Sequence, residues 1–210
     1  MPFFNIHTHY VDEETRCILS CTPDSYCEKR QLYPSGMMSL GIHPQDIKKE
    51  MSSELYLLDK HIKDKNVVAV GECGLDLYAE GDAKQQESVL VRQIEISEKY
   101  QKPMIIHCVR MHNELIRLKK YYHPKMPWII HGYRGNEQIT EQLLVHDFYL
   151  SYGKNIHPKS LRITPLDRIF FETDEADIPI STVYEKAAEI LQLDSDDLCC
   201  RIERNFEEVF

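Results

Sequence analysis

Asn66-Val67-Val68-Ala69-Val70-Gly71-Glu72-Cys73-Gly74-Leu75-Asp76 joins an apolar run to a cluster of acidic and glycine residues. Residues 66–71 form a continuous apolar run rich in β-branched side chains. Such a run suits a strand buried on both faces, as in a parallel sheet. A carboxylate, Glu72, follows it at once. The same grammar recurs along the chain. Pro103-Met104-Ile105-Ile106 runs into His107, and Trp128-Ile129-Ile130 into His131. Met37 to Ile42 runs into His43-Pro44, and Arg168-Ile169-Phe170-Phe171 into Glu172-Thr173-Asp174. The chain opens with Phe3-Phe4-Asn5-Ile6-His7-Thr8-His9. On a strand, residues two apart share a face, so Asn5, His7 and His9 point the same way.

Two further strands are expected at Arg16–Cys21 and Phe148–Ser151, joined to the first by a polar link over Asp12–Thr15. Helical patterns fall between most strands: within Thr22–Tyr33, over Lys48–Lys63 with Leu55, Leu58 and Ile62 on one face, and over Ala83–Tyr100, Asn113–Tyr121 and Glu137–Val145. Ser181–Leu191 and Asp194–Phe210 close the chain as helices. Eight strands alternating with helices predict a single α/β domain over residues 1–210, a small (β/α)8 TIM barrel. Helices should be short or absent between strands one and two and between seven and eight. A doubly wound open sheet is the alternative, but no glycine-rich phosphate loop follows the first strand.

The 210 residues suit one large domain, with 42% hydrophobic and 28% charged residues. A net charge of −9 argues against a broad basic surface for nucleic acid. Without a long apolar run or a basic-then-apolar start, a cytoplasmic protein with no membrane segment is expected. The seven cysteines, lacking a C-x-x-C pair, read as reduced thiols. Cys17, Cys21 and Cys27 are too irregularly spaced for a convincing thiolate site. A monomer is expected.

In a parallel barrel the carboxyl ends of the strands gather at one mouth, where active sites sit. His7, His9, His43, Glu72, His107, His131 and Asp174 are all expected there. One buried histidine alone is more often a hydrogen-bonded core group. Clustering this many ionisable groups without a metal would be costly.

These segments resemble the TatD-like metal-dependent hydrolases, a branch of the amidohydrolase-type barrels. The resemblance rests on His7-Thr8-His9, Gly41-Ile42-His43-Pro44, Val70 to Asp76, Ile105-Ile106-His107, Ile130-His131-Gly132, Phe171 to Asp174 and the closing Asn205 to Phe210. It implies a two-metal site. His7 and His9 would hold one ion with Asp174, Glu72 would bridge, and His107 and His131 would hold the second. Imidazole-rich ligands suit Zn, Mn or Ni, and Mg is an option if many waters complete the shell. Catalysis would fall to Asp174, as proton acceptor from a metal-activated water, and to Glu72.

His43, Arg110, Arg134 and Lys154 are candidates to orient an anionic substrate. Asp76 could support a ligand histidine or cap a turn. The chain departs from the family pattern at Asn5, usually Asp, and at Val109-Arg110, where an Arg commonly stands two residues after the strand-five histidine. It departs again at Gly132-Tyr133-Arg134-Gly135 and at Glu175-Ala176-Asp177. The leading expectation is phosphodiester hydrolysis, a deoxyribonuclease or 3′-to-5′ exonuclease on single-stranded DNA. The alternatives are hydrolysis of a small ester, lactone, amide or phosphate, and a non-enzymatic metal-binding barrel.

Overall fold

A computed structural model describes residues 3–11, 15–80 and 82–210. The polar link expected over Asp12–Thr15 therefore lies, save Thr15, outside the described residues. The eight strands are β1 (Phe4–Thr8), β2 (Arg16–Cys21), β3 (Met37–Leu40), β4 (Val67–Asp76), β5 (Met104–Val109), β6 (Trp128–Ile130), β7 (Phe148–Tyr152) and β8 (Ile169–Phe171). The helices are α1 (Tyr26–Leu32), α2 (Ser52–His61), α3 (Ala83–Tyr100), α4 (His112–Tyr122), α5 (Glu137–Val145), α6 (Pro158–Ile163), α7 (Ile180–Leu191) and α8 (Ser195–Val209).

Hydrogen bonding follows chain order from β1 to β8. A parallel bridge between Thr8 and Asp174 joins the end of β1 to the segment after β8. This is the strand topology of a (β/α)8 barrel. As expected, the described residues between β1 and β2 hold no helix. Between β7 and β8 there is only the six-residue α6 and a 3-10 turn at Leu166–Arg168. Among the described residues, no helix is long and apolar enough to cross a membrane.

The chain packs as two compact units, one running through Leu19 and resuming at Ile129–Phe210, the other Ser20–Trp128. In the first, β1 is pinned by the C-terminal helices. Buried Tyr184 of α7 accepts from the Phe4 N–H (3.2 Å) and donates to the Phe4 carbonyl (2.9 Å). Phe206 of α8 stacks on Phe4 with ring centres 4.7 Å apart. Asn205 donates its amide to the Leu166 and Ile169 carbonyls (2.7 and 3.0 Å), locking the entry to β8. Asp194 caps α8 by accepting from the Asp196 and Asp197 N–H groups.

In the second unit, α3 does more than bury Val89, Leu90, Ile94 and Ile96. Gln86 and Gln93 lie seven residues apart on the same face and are buried. Gln93 pairs with both backbone groups of Ile42 (2.8 and 3.1 Å). Gln86 does the same for Asp76 (2.9 and 3.0 Å). A helix thus satisfies the backbone where β3 and β4 give out, beside His43 and Asp76.

Strand four is longer than its apolar run suggests. It continues through Glu72-Cys73-Gly74 to Asp76, paired with β5 in the register Gly74 to His107 and Asp76 to Val109. Glu72 and His107 therefore stand inside their strands, whereas His43 lies three residues past β3 and Asp174 three past β8.

Candidate metal centre

Two donor groups form, one within each unit. In the first, β1 delivers His7, fully buried, and His9 just beyond its end. Backbone bonds from Asp174 N–H to the His7 carbonyl (3.0 Å) and from His9 N–H to the Asp174 carbonyl (3.2 Å) tie that strand end to Asp174. Asp174 sits at φ +56°, a left-handed conformation that Asp tolerates better than most residues. Its Oδ1 lies 3.5 Å from His7 Nε2 and 3.5 Å from His9 Nε2, with the side chain 36% exposed. His131 follows β6, its ring 4.2 Å from that of His7. Donor atoms of His7, His131 and Asp174 all fall within 4.8 Å of one another.

Glu172, quoted in the sequence as part of a motif but not as a site residue, lies beneath this group with no exposed surface. Its Oε1 accepts from His131 Nδ1 (3.2 Å) and from the Gly132 N–H (2.7 Å). The orientation of the His131 ring is thereby fixed. The signal was a carboxylate immediately after a three-residue apolar strand, the same grammar that marked Glu72. Asn5 is no ligand here. Its amide donates to Thr173 Oγ1 (2.8 Å) and accepts from the Thr173 N–H (3.1 Å), clamping β1 to the segment that carries Asp174.

The second group is His43, Glu72 and His107, whose donor atoms also lie within 4.8 Å of one another. Glu72 Oε1 meets His107 Nδ1 at 2.9 Å and His43 Nε2 at 3.2 Å. His107 Nε2 reaches Asp76 Oδ2 at 3.3 Å. Burial pushes the Asp76 carboxyl up, but bonds from the Tyr78 N–H, His107 and Gln45 outweigh it and hold the carboxyl below its ordinary range. His43 differs from the other imidazoles. Its Nδ1 accepts the Gln45 N–H (3.1 Å) as the cap of a 3-10 turn, so a neutral ring carries its proton on Nε2. That nitrogen is a hydrogen-bond donor.

The remaining candidates lie at the surface. Arg110 is exposed, its guanidinium 5.9 Å from the centre of the Tyr78 ring. Arg134 and Lys154 are exposed in the segments after β6 and β7. All seven cysteines are free thiols. Burial raises the Cys21 thiol to about 11, so that without a metal it is protonated at neutral pH.

Imidazole and carboxylate donors at these spacings fit a divalent cation. A family model described as "TatD related DNase" matches residues 15–210. An "Uncharacterized metal-dependent hydrolase" of Buchnera aphidicola subsp. Baizongia pistaciae is 32% identical over 148 residues, covering 66% of this chain and 55% of that protein. The "3'-5' ssDNA/RNA exonuclease TatD" of Escherichia coli K12 is 24% identical over 153 residues, covering 68% and 58%. The match spans 55% of the first of these and 58% of the second. The crystal structure of YJJV, a TatD homolog from Escherichia coli K12, superposes with a TM-score of 0.88 at 21% identity, over 99% of this chain and 97% of that one. At that identity the likeness is one of fold.

Proposed function

The chain belongs to the TatD related DNase family, and on that premise we propose that it is a metal-dependent phosphodiesterase acting on single-stranded nucleic acid, with 3′-to-5′ exonuclease action as its mode. The observation that carries this reading is two sets of donors, His7 with His131 and Asp174, and His43 with Glu72 and His107, each with its donor atoms within 4.8 Å of one another. One divalent cation would be held by His7, His9, His131 and Asp174, and another by Glu72 and His107. The imidazole share of these sets favours Zn, Mn or Ni over Mg. A bound cation supplies Lewis acidity, acidifying water and polarising a phosphoryl oxygen.

The chain's own groups divide the remaining work. Asp174, partly exposed and flanked by two imidazoles, takes the proton of the attacking water and returns it to the leaving oxygen. The His43 Nε2–H, which meets Glu72 Oε1 at 3.2 Å with Nδ1 engaged by Gln45, would turn to a non-bridging phosphoryl oxygen once Glu72 is taken up by a cation. Glu172 and Asp76 keep His131 and His107 in orientation. Support for nucleic acid comes from relatives named 3'-5' ssDNA/RNA exonuclease.

The test is a substrate panel with Mn or Zn added to chelated protein: labelled single-stranded DNA and RNA, a small phosphodiester, a carboxyl ester and a lactone. Stepwise loss of nucleotides from the 3′ end is the expected result. Turnover of the ester or lactone alone would overturn the phosphodiesterase reading.

A further inference from the structure

Tyr78 follows Asp76 of the second unit by two residues and faces solvent, with 67% of its surface exposed. Exposed tyrosines are ordinary, but this one is held in place. Its N–H donates to Asp76 Oδ1 (2.8 Å), and the other oxygen of that carboxylate receives His107 Nε2 (3.3 Å). Gln86 of α3 fixes both backbone groups of Asp76. The β4–β5 ladder extends one step further through the Leu77 N–H and the Val109 carbonyl (3.1 Å). The next residue, Arg110, places its guanidinium 5.9 Å from the Tyr78 ring centre. One carboxylate thus meets a candidate ligand histidine and holds the backbone of an exposed tyrosine whose ring has a cation over it.

We propose that Tyr78, with Arg110 over its ring, is the stacking platform for a nucleobase next to the scissile phosphodiester. This rests on the phosphodiesterase reading and adds a base-reading step to it. A tyrosine has only two side-chain rotors, so with its backbone pinned it loses little entropy when a base stacks on it, and stacking tolerates any base. The chain carries a net charge of −9, which makes non-specific attraction for a polyanion weak and raises the value of stacking at one ring. A substrate without a base would gain nothing from Tyr78.

The experiment measures binding of a labelled, hydrolysis-resistant phosphorothioate oligothymidylate by fluorescence anisotropy, with Mn present. Tyr78→Ala should weaken binding about tenfold or more, within the range found for base–aromatic stacking, while Tyr78→Phe should stay within about twofold of wild type. Tyr121→Ala, at the far end of α4 and 74% exposed, is the control and should bind as wild type. Abasic spacers placed one at a time should weaken wild-type binding at one position and add no further loss in Tyr78→Ala. Equal binding by Tyr78→Ala, an abasic penalty that persists in that variant, or no binding by wild type would each overturn the platform. The two readings fail separately. Tyr78-dependent binding with no cleavage of ordinary DNA would remove the phosphodiesterase reading and, with it, the placement beside a scissile bond, leaving only a base-stacking contact; cleavage with Tyr78-independent binding would overturn the platform alone.

Discussion

His131 donates through Nδ1 to Glu172, and that carboxylate has no exposed surface. The same oxygen accepts the Gly132 N–H. Glu172 therefore holds a candidate ligand by its far side. Glu172→Gln keeps the volume but weakens the acceptor, and should lower metal affinity by about 10- to 100-fold, as outer partners of metal-bound imidazoles do. Glu172→Ala removes the acceptor of buried His131 Nδ1–H and of the half-buried Gly132 N–H and should in addition cost about 2 kcal/mol of stability. Competition titration against a chelator and urea unfolding read the two effects apart.

His43 and His107 both meet Glu72 Oε1, yet they should behave differently on mutation. His43→Ala should leave metal content unchanged and lower kcat/KM by about tenfold to a hundredfold, because it removes a donor to substrate. His107→Ala should lower metal content. Metal analysis after gel filtration, set beside steady-state kinetics, decides it. Loss of metal in His43→Ala would return that residue to the ligands.

Gly74 and Gly132 form a contrasting pair. A Cβ on Gly74 would stand 1.9 Å from the His107 carbonyl oxygen, whereas on Gly132, at φ +55°, its nearest neighbour would be Glu172 Oε1 at 3.8 Å. Gly74→Ala must push β4 from β5 and should cost on the order of 4 kcal/mol. Gly132→Ala meets only the conformational penalty of the left-handed region, about 1 kcal/mol. Denaturant midpoints of the two variants test the difference.

Asp64 accepts from the Asn66 N–H (3.0 Å) and from Arg30 Nε (3.2 Å). The Asn66 N–H first, then Tyr26 and Arg30, outweigh burial and hold its carboxyl below the ordinary value. A carboxyl lowered in the folded state adds stability above its unfolded pKa, near about 4, and loses it as pH falls through the folded value. Asp64→Ala should cost about 1 kcal/mol at pH 7. That deficit should shrink steadily below about pH 4. A deficit that does not change between pH 7 and pH 3 would show that the charge is not responsible.

The fold was legible where apolar runs and helical spacing were unbroken. Trp128–Ile130, Ala83–Tyr100 and Glu137–Val145 lie at the bounds read from pattern alone. Legibility ended where polar residues did structural work. β4 runs on through Glu72 and Gly74 because its partner strand needs a residue without a Cβ, which reads in sequence as a strand end. α6 is six residues long, too short for a periodic face, and is marked only by the His157 cap and Pro158. The buried Gln86 and Gln93 sit in what reads as a polar face, since nothing local shows that they serve backbone across from them. The histidines and acids were visible because each interrupts or ends an apolar strand. Glu172 escaped because Asp174, two residues later, accounted for the motif. How His43 differs from His107 depends on a backbone N–H, which no spacing displays.

The central claim is that Asp174 serves a metal-dependent phosphodiester cleavage. Its most direct test follows a 3′-labelled single-stranded oligonucleotide with wild type and Asp174→Asn, each chelated and then resupplied with Mn, Zn or Mg. The account predicts cleavage by wild type that vanishes on chelation, returns with metal, and drops by at least a hundredfold in a folded, metal-loaded Asp174→Asn. Cleavage at the wild-type rate by that variant, or none by a folded wild type that holds metal, would contradict it.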